Sequence, residues 1–382
     1  MDKDITTPSG TVLYGSCLDR LKDLEDASID SIVTDPPYEL GFMGKKWDAS
    51  GIAYNVELWQ ECLRVLKPGG HLLAFGGTRT YHRMAVAIED TGFEIRDSIH
   101  WVYGSGFPKS HNVSIAIDKE AGAMKHRGKR TSVAGNIAQG EQVEPAKSMP
   151  SHEGITDAAK QWNGWGTALK PAHEPIVVAR KPLVGTVAAN VKEHGTGAIN
   201  IDGCRIGTDG ECFDDLKGRP ITKLATRRAD ESDEEYRQRV LESPGQQKAL
   251  EKLKDLGRWP ANIIFDEAAG AELDEQSGLE ASRFFYCPKP AKSERNAGGD
   301  NKHPTVKPIN LMRYLVRLVT PPNGTVLDPF LGSGTTAAAA ILEGFRWTGC
   351  EMTDDYLPII TGRVAWAEKK AAEDAPTLPG IA

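Results

Sequence analysis

The chain has 382 residues, 40% of them hydrophobic and 26% charged, with a formal charge of −7. That length and apolar content can bury one large α/β core plus a smaller domain, while the acidic balance excludes a surface uniformly adapted to nucleic acid and leaves room for one basic face. Six scattered cysteines with no Cys-x-x-Cys or Cys/His cluster predict reduced thiols without metal, and the lack of a signal peptide or membrane-length apolar run predicts a soluble intracellular protein.

The first predicted strand is Gly10 to Gly15, and Ser16-Cys17-Leu18-Asp19 opens a helix with Leu18, Leu21 and Leu24 on one face. Ile29-Asp30-Ser31-Ile32-Val33-Thr34 reads as a short buried strand ending at Asp35. That puts the acid at the carboxyl end of a strand, where open α/β sheets bind their ligands. Asp35-Pro36-Pro37-Tyr38 can end a strand in an ordinary turn. It also suits a specific chemistry, methylation of an exocyclic amine whose lone pair is delocalised into a base. Asp35 and the Pro36 carbonyl can each accept one N–H and turn the lone pair toward a methyl donor, and Tyr38 offers a ring to an extruded base.

A helix is expected from Tyr54 to Leu66, stopped by Lys67-Pro68-Gly69-Gly70, and then a strand from His71 to Gly77. Thr80 to Asp90 reads as a helix. Phe93 to Tyr103 alternates like a strand, with Glu174 to Arg180 as a candidate antiparallel partner. Between these two, residues 104–170 are rich in Gly, Ser, Lys and Gln, which predicts a mobile loop with Gly104 and Gly106 as hinges. Its basic cluster includes Lys125, Arg127, Lys129 and Arg130, which are candidates for phosphate contacts. A second basic stretch runs from Lys217 to Arg228. Trp162-Asn163-Gly164-Trp165-Gly166 could contact bases, but packing the loop onto the core is the preferred expectation. Further on, Thr186–Val191, Ile199–Ile206 and Trp259–Phe265 look strand-like around a charged helical stretch, Glu234–Leu256. Asn200, Asp202, Arg205, Arg258 and Asn262 carry side chains able to read base edges.

Near the other end, Thr325-Val326-Leu327-Asp328-Pro329-Phe330-Leu331-Gly332-Ser333-Gly334-Thr335-Thr336 runs from an apolar strand through a glycine turn into an alanine-rich helix. The two glycines let backbone approach a ligand, and the helix start adds free N–H groups. No third glycine of a dinucleotide fingerprint and no Gly-Lys-Ser/Thr of a phosphate loop is present. A second strand, Phe345 to Glu351, ends in an acid about 20 residues after the glycines, the interval at which an acid can bridge ribose hydroxyls. The C-terminal helix from Tyr356 to Lys370 leaves the doubly wound sheet short of a strand, which the N-terminal strand can supply.

With Asp35 to Tyr38 first and Asp328 to Gly334 last, and with His303-Pro304-Thr305-Val306-Lys307-Pro308 ahead of the glycine loop, the chain resembles the S-adenosylmethionine-dependent DNA amino-methyltransferases of the permuted β group. The resemblance covers roughly 11–108 and 282–370. It implies an α/β fold with a doubly wound, mostly parallel sheet, a Rossmann-like methyltransferase fold in circularly permuted order with an inserted target-recognition region. The implied organisation is a catalytic half at 1–103, a DNA-contacting insertion at 104–170, a returning strand at 171–185, a target-recognition region at 186–281, a cofactor-binding half at 282–370 and a tail at 371–382.

The resemblance further implies S-adenosylmethionine as cofactor. It would be held by Ser16, Cys17, Asp35, His303, Thr305, Lys307, Asp328, Phe330, Gly332, Ser333, Gly334, Thr335 and Glu351, with Thr305 and Lys307 near its methionine part. Asp328 has two readings, a contact to the cofactor's amino group or a brace for the glycine turn. Asp35, Pro36, Pro37 and Tyr38 form the catalytic motif, and Arg205 and Arg258 join the basic loop as DNA contacts. Double-stranded DNA is the implied partner, in the cytoplasm of a bacterial cell, with a homodimer and a cognate restriction endonuclease as further partners that the family admits. Aspartate in the first motif position favours N6 of adenine over N4 of cytosine by family habit. The same chemistry on RNA or on a protein amide, and a catalytically silent DNA-binding module, are the alternatives.

Overall fold

The computed structural model describes residues 3–41, 46–104, 106, 110–123, 153–207, 232–241, 243–244, 257–278, 280–286, 296–299, 301–303 and 305–374. Lys125, Arg127, Lys129 and Arg130, the Lys217–Arg228 stretch and most of the Glu234–Leu256 stretch lie outside the described residues. The chain divides into two compact units, Met1–Gly104 with His173–Ala382, and Ser105–Ala172.

In the larger unit nine strands form one sheet: β1 (Ile5–Thr6), β2 (Gly10–Tyr14), β3 (Ile29–Thr34), β4 (Leu66–Phe75), β5 (Glu94–Val102), β6 (His173–Arg180), β7 (Ile263–Phe265), β8 (Thr325–Asp328) and β9 (Arg346–Glu351). Their order is β1-β2-β9-β8-β3-β4-β6-β5-β7. The run β2-β9-β8-β3-β4 is parallel throughout. As the sequence predicts, the N-terminal strand completes the sheet beyond β9, with Tyr14 opposite Glu351. The predicted antiparallel pairing of β5 with β6 is also present, with Ile99 opposite Ile176.

Alternation along the strands sends neighbouring residues into two separate cores. Val12, Val33, Leu73 and Val326 face one core, and Leu13, Ile32, Leu72 and Leu327 face the other. Helices cover both faces, so the sheet is doubly wound. The helix Ile309–Val319 buries eight of its eleven residues on a broad apolar face and leaves Asn310, Arg313 and Arg317 as a narrow polar stripe. In Thr335–Leu342 the small alanines at 337–340 are at most 1% exposed and let that helix pack closely. Among the described residues, no helix is long and apolar enough to cross a membrane.

Three local expectations are corrected. Lys67-Pro68-Gly69-Gly70 ends the helix Val56–Val65 as predicted, but the run itself lies inside β4, accommodated by a shift of register between Ile29 and Ser31 on the neighbouring strand. Thr186–Val191, expected as a strand, lies largely in the helix Val187–His194. The Thr186 side chain accepts from Ala189 N–H to cap it, and buried Asn190 donates to the Pro68 and Thr196 carbonyls. Capping and a tertiary anchor outweigh the β-branched residues there. Ile199–Ile206 holds a short 3₁₀ turn, Asp202–Cys204, and only an isolated bridge from Ile206 to Arg258. Ile263–Phe265 does form a strand and extends the main sheet beside β5.

In the smaller unit, where composition pointed to a loop, the described residues carry helices Val113–Glu120 and Asp157–Lys160. Buried Asp118 holds them together, accepting from Ile155 N–H at 2.8 Å, Thr156 N–H at 3.0 Å and Thr156 Oγ1 at 2.9 Å. Trp162 and Trp165 meet edge to face and stay 42% and 60% exposed.

Candidate active site

Strands β2, β9, β8 and β3 lie side by side and parallel, so their carboxyl ends line one edge of the sheet. Along that edge stand Ser16 and Cys17 after β2, Glu351 closing β9, Asp328 closing β8, and Asp35 just after β3. Asp35 and Glu351 are therefore two strand spacings apart, roughly 10 Å. This is the arrangement the motif spacing predicts. The parallel pairing β8–β3 creates it, because nothing local joins position 35 to position 328.

The glycine turn is shaped by positive φ angles of +53° at Gly332 and +78° at Gly334, values costly to residues with a Cβ. A Cβ at Gly332 would also stand 3.1 Å from His303 Nε2. Glu351 ties the turn down: Oε2 accepts from Gly332 N–H at 2.9 Å and Oε1 from Thr353 N–H at 2.7 Å. Burial raises its carboxyl above the usual range, against the hydrogen bonds from Thr353 and Gly332. His303 Nδ1 is 2.7 Å from the Thr305 carbonyl, its ring meets Tyr356 at 4.6 Å, and burial lowers its pKa. The Thr305 side chain is exposed.

Asp328 is 3% exposed and engages both oxygens inside the protein. Thr34 Oγ1 and Phe330 N–H donate to Oδ1, and Thr336 Oγ1 donates to Oδ2. These three bonds tie the start of the glycine turn to β3 and to the helix Thr335–Leu342. Phe330 packs against the second core. Ser333 Oγ and Thr335 Oγ1 accept from Nη1 of the buried Arg363 at 2.9 and 3.1 Å. Ser16 precedes the helix Cys17–Arg20 without capping it through its side chain, and burial pushes the Cys17 thiol up to about 11. A thiol held protonated in this way is a packing group rather than a nucleophile.

The acid of the first motif meets a lysine from the third. Lys307 Nζ donates to Asp35 Oδ2 at 2.6 Å and lies 3.1 Å from the Tyr38 hydroxyl. Its ammonium also stands over the rings of Phe75 and Tyr38, 4.9 and 5.2 Å from their centroids. Burial alone would lower the ammonium's pKa, but Asp35 and Glu174 outweigh it and hold it above its ordinary value. Asp35 Oδ1, by contrast, is buried and accepts no hydrogen bond among the described residues. Pro36 is buried, Pro37 half-buried, and Thr80 Oγ1 fixes the Tyr38 carbonyl at 2.8 Å.

The DNA candidates fare unevenly. Arg205 donates to Asp202 at 2.7 Å and to the Gly257 carbonyl at 3.2 Å, with its guanidinium 5.2 Å from the ring of Trp259, itself 64% exposed. Arg258, expected at a DNA surface, is only 9% exposed and backbone-paired with Ile206. A guanidinium withdrawn this far is poorly placed to read a base edge. Four residues outside the predicted set of site residues, Glu174, Arg363, Thr34 and Thr336, also bond to this group. Glu174 had one signal, an acid directly before the apolar run Pro175–Ala179, whereas Arg363 looks like any helix arginine.

Over residues 29–362 the chain matches a family model described as DNA methylase, of the N6/N4 methyltransferases. Among curated relatives it is 24% identical over 313 residues to the Type II methyltransferase M.HindIII of Haemophilus influenzae, covering 81% of this chain and 68% of that one. It is 32% identical over 129 residues to M.HpaI of Haemophilus parainfluenzae, covering 31% of this chain and 40% of that one. Among solved structures, the M1.HpyAVI complex with S-adenosylmethionine aligns over 92% of this chain and 97% of its own, with TM-score 0.43 and 16% identity. The cytosine-N4-specific PvuII DNA methyltransferase aligns over 96% and 92%, with TM-score 0.47 and 15% identity. The family match spans both the Asp-Pro-Pro-Tyr motif and the glycine turn: the chain belongs to the DNA methylase family of N6/N4 methyltransferases.

Proposed function

We propose that this protein is a site-specific DNA methyltransferase that modifies the exocyclic amine of a base flipped out of double-stranded DNA, with N6 of adenine favoured over N4 of cytosine. The observation that carries the reading is the state of Asp35: one oxygen is held by Lys307, and the other is buried without a hydrogen-bond partner among the described residues. A buried, unsatisfied carboxylate oxygen is costly unless a donor arrives. The two N–H bonds of the target amine are suitable donors.

S-adenosylmethionine fits the same edge of the sheet and supplies a methyl group on a cationic sulfur. Glu351 would accept from its ribose, and the turn from Phe330 to Thr335 would approach it through backbone, with Ser16, Cys17, His303 and Thr305 around it. Asp35 Oδ1 and the Pro36 carbonyl each take one N–H of the amine, which turns its lone pair out of the base plane. Tyr38 presents a ring to the base. Arg205 and the basic cluster at 125–130 would hold the DNA backbone. The homologous Type II enzymes support a bacterial cytoplasmic setting, in which a second copy of the chain and a cognate endonuclease are candidate partners.

Methylating DNA with the purified protein, digesting it to nucleosides and identifying the product by mass spectrometry tests this. N6-methyladenine is the expected product. N4-methylcytosine would overturn the choice of base, and methylation of RNA or protein in preference to DNA would overturn the substrate.

A further inference from the structure

The basic group at the centre of the site is shared by two acids. Lys307 Nζ lies 2.6 Å from Asp35 Oδ2 and 3.4 Å from Glu174 Oε2, and the same Glu174 oxygen accepts from the Tyr38 hydroxyl at 2.7 Å. The side chains of Lys307, Glu174 and Asp35 are 10%, 20% and 23% exposed, so these charges interact through a medium that screens poorly. Glu174 is placed by β6, where it pairs with Trp101 on β5.

We infer that Glu174 is a positioning residue for methyl transfer: it shares the charge of Lys307 and fixes the Tyr38 hydroxyl, and so keeps Asp35 a strong acceptor toward the target amine. The inference rests on the methyltransferase reading above. Its physical basis is charge balance. Paired with Lys307 alone, Asp35 would be a neutralised carboxylate with weakened acceptor strength. With Glu174 present, two carboxylates face one ammonium and the cluster keeps a net negative charge. That charge suits both an N–H donor and a cationic methyl donor. The hydrogen bond from Tyr38 adds a geometric part, fixing the ring a base would stack on.

The titratable groups facing Lys307 are Asp35 and Tyr38 beyond β3, Glu174 on β6, Tyr103 beyond β5, and His303 on its own segment. Removing the Glu174 charge leaves the ammonium with one supporting carboxylate, so it should deprotonate at lower pH.

The test compares Glu174→Gln, Glu174→Asp and Asp35→Ala with the unmodified full chain in steady-state methylation from roughly pH 7 to pH 10, alongside DNA affinity. For Glu174→Gln we expect kcat to fall about 10- to 100-fold with DNA affinity unchanged. The loss should narrow as pH rises, because an ammonium that has lost its proton no longer neutralises Asp35. Glu174→Asp, which keeps the charge, should recover part of kcat and bring the pH profile back toward the parent's. A Glu174→Gln enzyme with unchanged kcat and pH profile would overturn the inference. So would a loss equal at every pH and unrelieved by aspartate, which is the signature of a purely structural role. Turnover surviving in Asp35→Ala would instead overturn the underlying site assignment, so the two failures are distinguishable.

Discussion

Thr34 Oγ1 donates to Asp328 Oδ1 at 2.6 Å, joining the residue before Asp35 to the residue that opens the glycine turn, 294 positions along the chain. Thr336, from the helix after the turn, donates to the other oxygen. One buried carboxylate thus locks β3, β8 and the following helix, and couples the Asp-Pro-Pro-Tyr motif to the glycine turn.

Burial pushes Asp328 from 3.8 up to about 6, against the hydrogen bonds from Thr336, Thr34 and Phe330 N–H. A carboxyl raised in the folded state binds a proton there that the unfolded chain has already lost. Its contribution is therefore fully present below about pH 4 and is lost as pH rises toward 6. A shift of this size corresponds to about 3 kcal/mol. Denaturant unfolding of the protein and of Asp328→Asn across that window should show the parent losing more stability with rising pH than the variant. Parallel curves would remove Asp328 as the source.

Asp35→Ala should lower kcat by at least about 100-fold, the scale of losing one well-placed polar group in a transition state. DNA affinity should hold, because the lost group acts on the amine and not on phosphates. Single-turnover methylation together with a DNA-binding titration reads both quantities.

Glu351→Ala should weaken cofactor binding by roughly 1.5–3 kcal/mol, the value of a charge-assisted hydrogen bond. The variant also frees the N–H groups of Gly332 and Thr353. Calorimetry with S-adenosylmethionine should show the weakened affinity, and chemistry at saturating cofactor should fall less. An unchanged dissociation constant would take Glu351 out of the site.

Stacking alone predicts that Tyr38→Phe is mild and Tyr38→Ala severe. The hydroxyl, however, donates to Glu174 and lies 3.1 Å from Lys307. Tyr38→Phe should therefore lose roughly tenfold in kcat, about 1.4 kcal/mol, and Tyr38→Ala more. Equal kcat for Tyr38→Phe and the parent would confine the role of Tyr38 to its ring.

Replacing Lys125, Arg127, Lys129 and Arg130 together with alanine should weaken binding to all DNA sequences and flatten its salt dependence, as lost phosphate contacts do. The methylated base should not change. A salt slope identical to the parent's would exclude these four from the DNA interface.

The ends of β3 and β8 were legible because their signals are local. The short strand Ile29–Thr34 stopping at Asp35, and the apolar run stopping at Asp328 before two glycines, obey strand propensity and turn chemistry that act within a few residues. The N-terminal strand's place beside β9 followed from counting strands in the permuted order. Where local signals conflicted, tertiary contacts decided. Thr186–Val191 is β-branched enough to read as a strand, yet capping by Thr186 and the hold of Asn190 on Pro68 make it a helix. The polar interior of the site was beyond the sequence for the same reason. Lys307 meets Asp35 across 272 positions, and Tyr38 meets Glu174 across 136. Such pairings depend on how the strands order in the sheet, because side-chain ion pairs and hydrogen bonds form only once the folded backbone has brought their partners within reach.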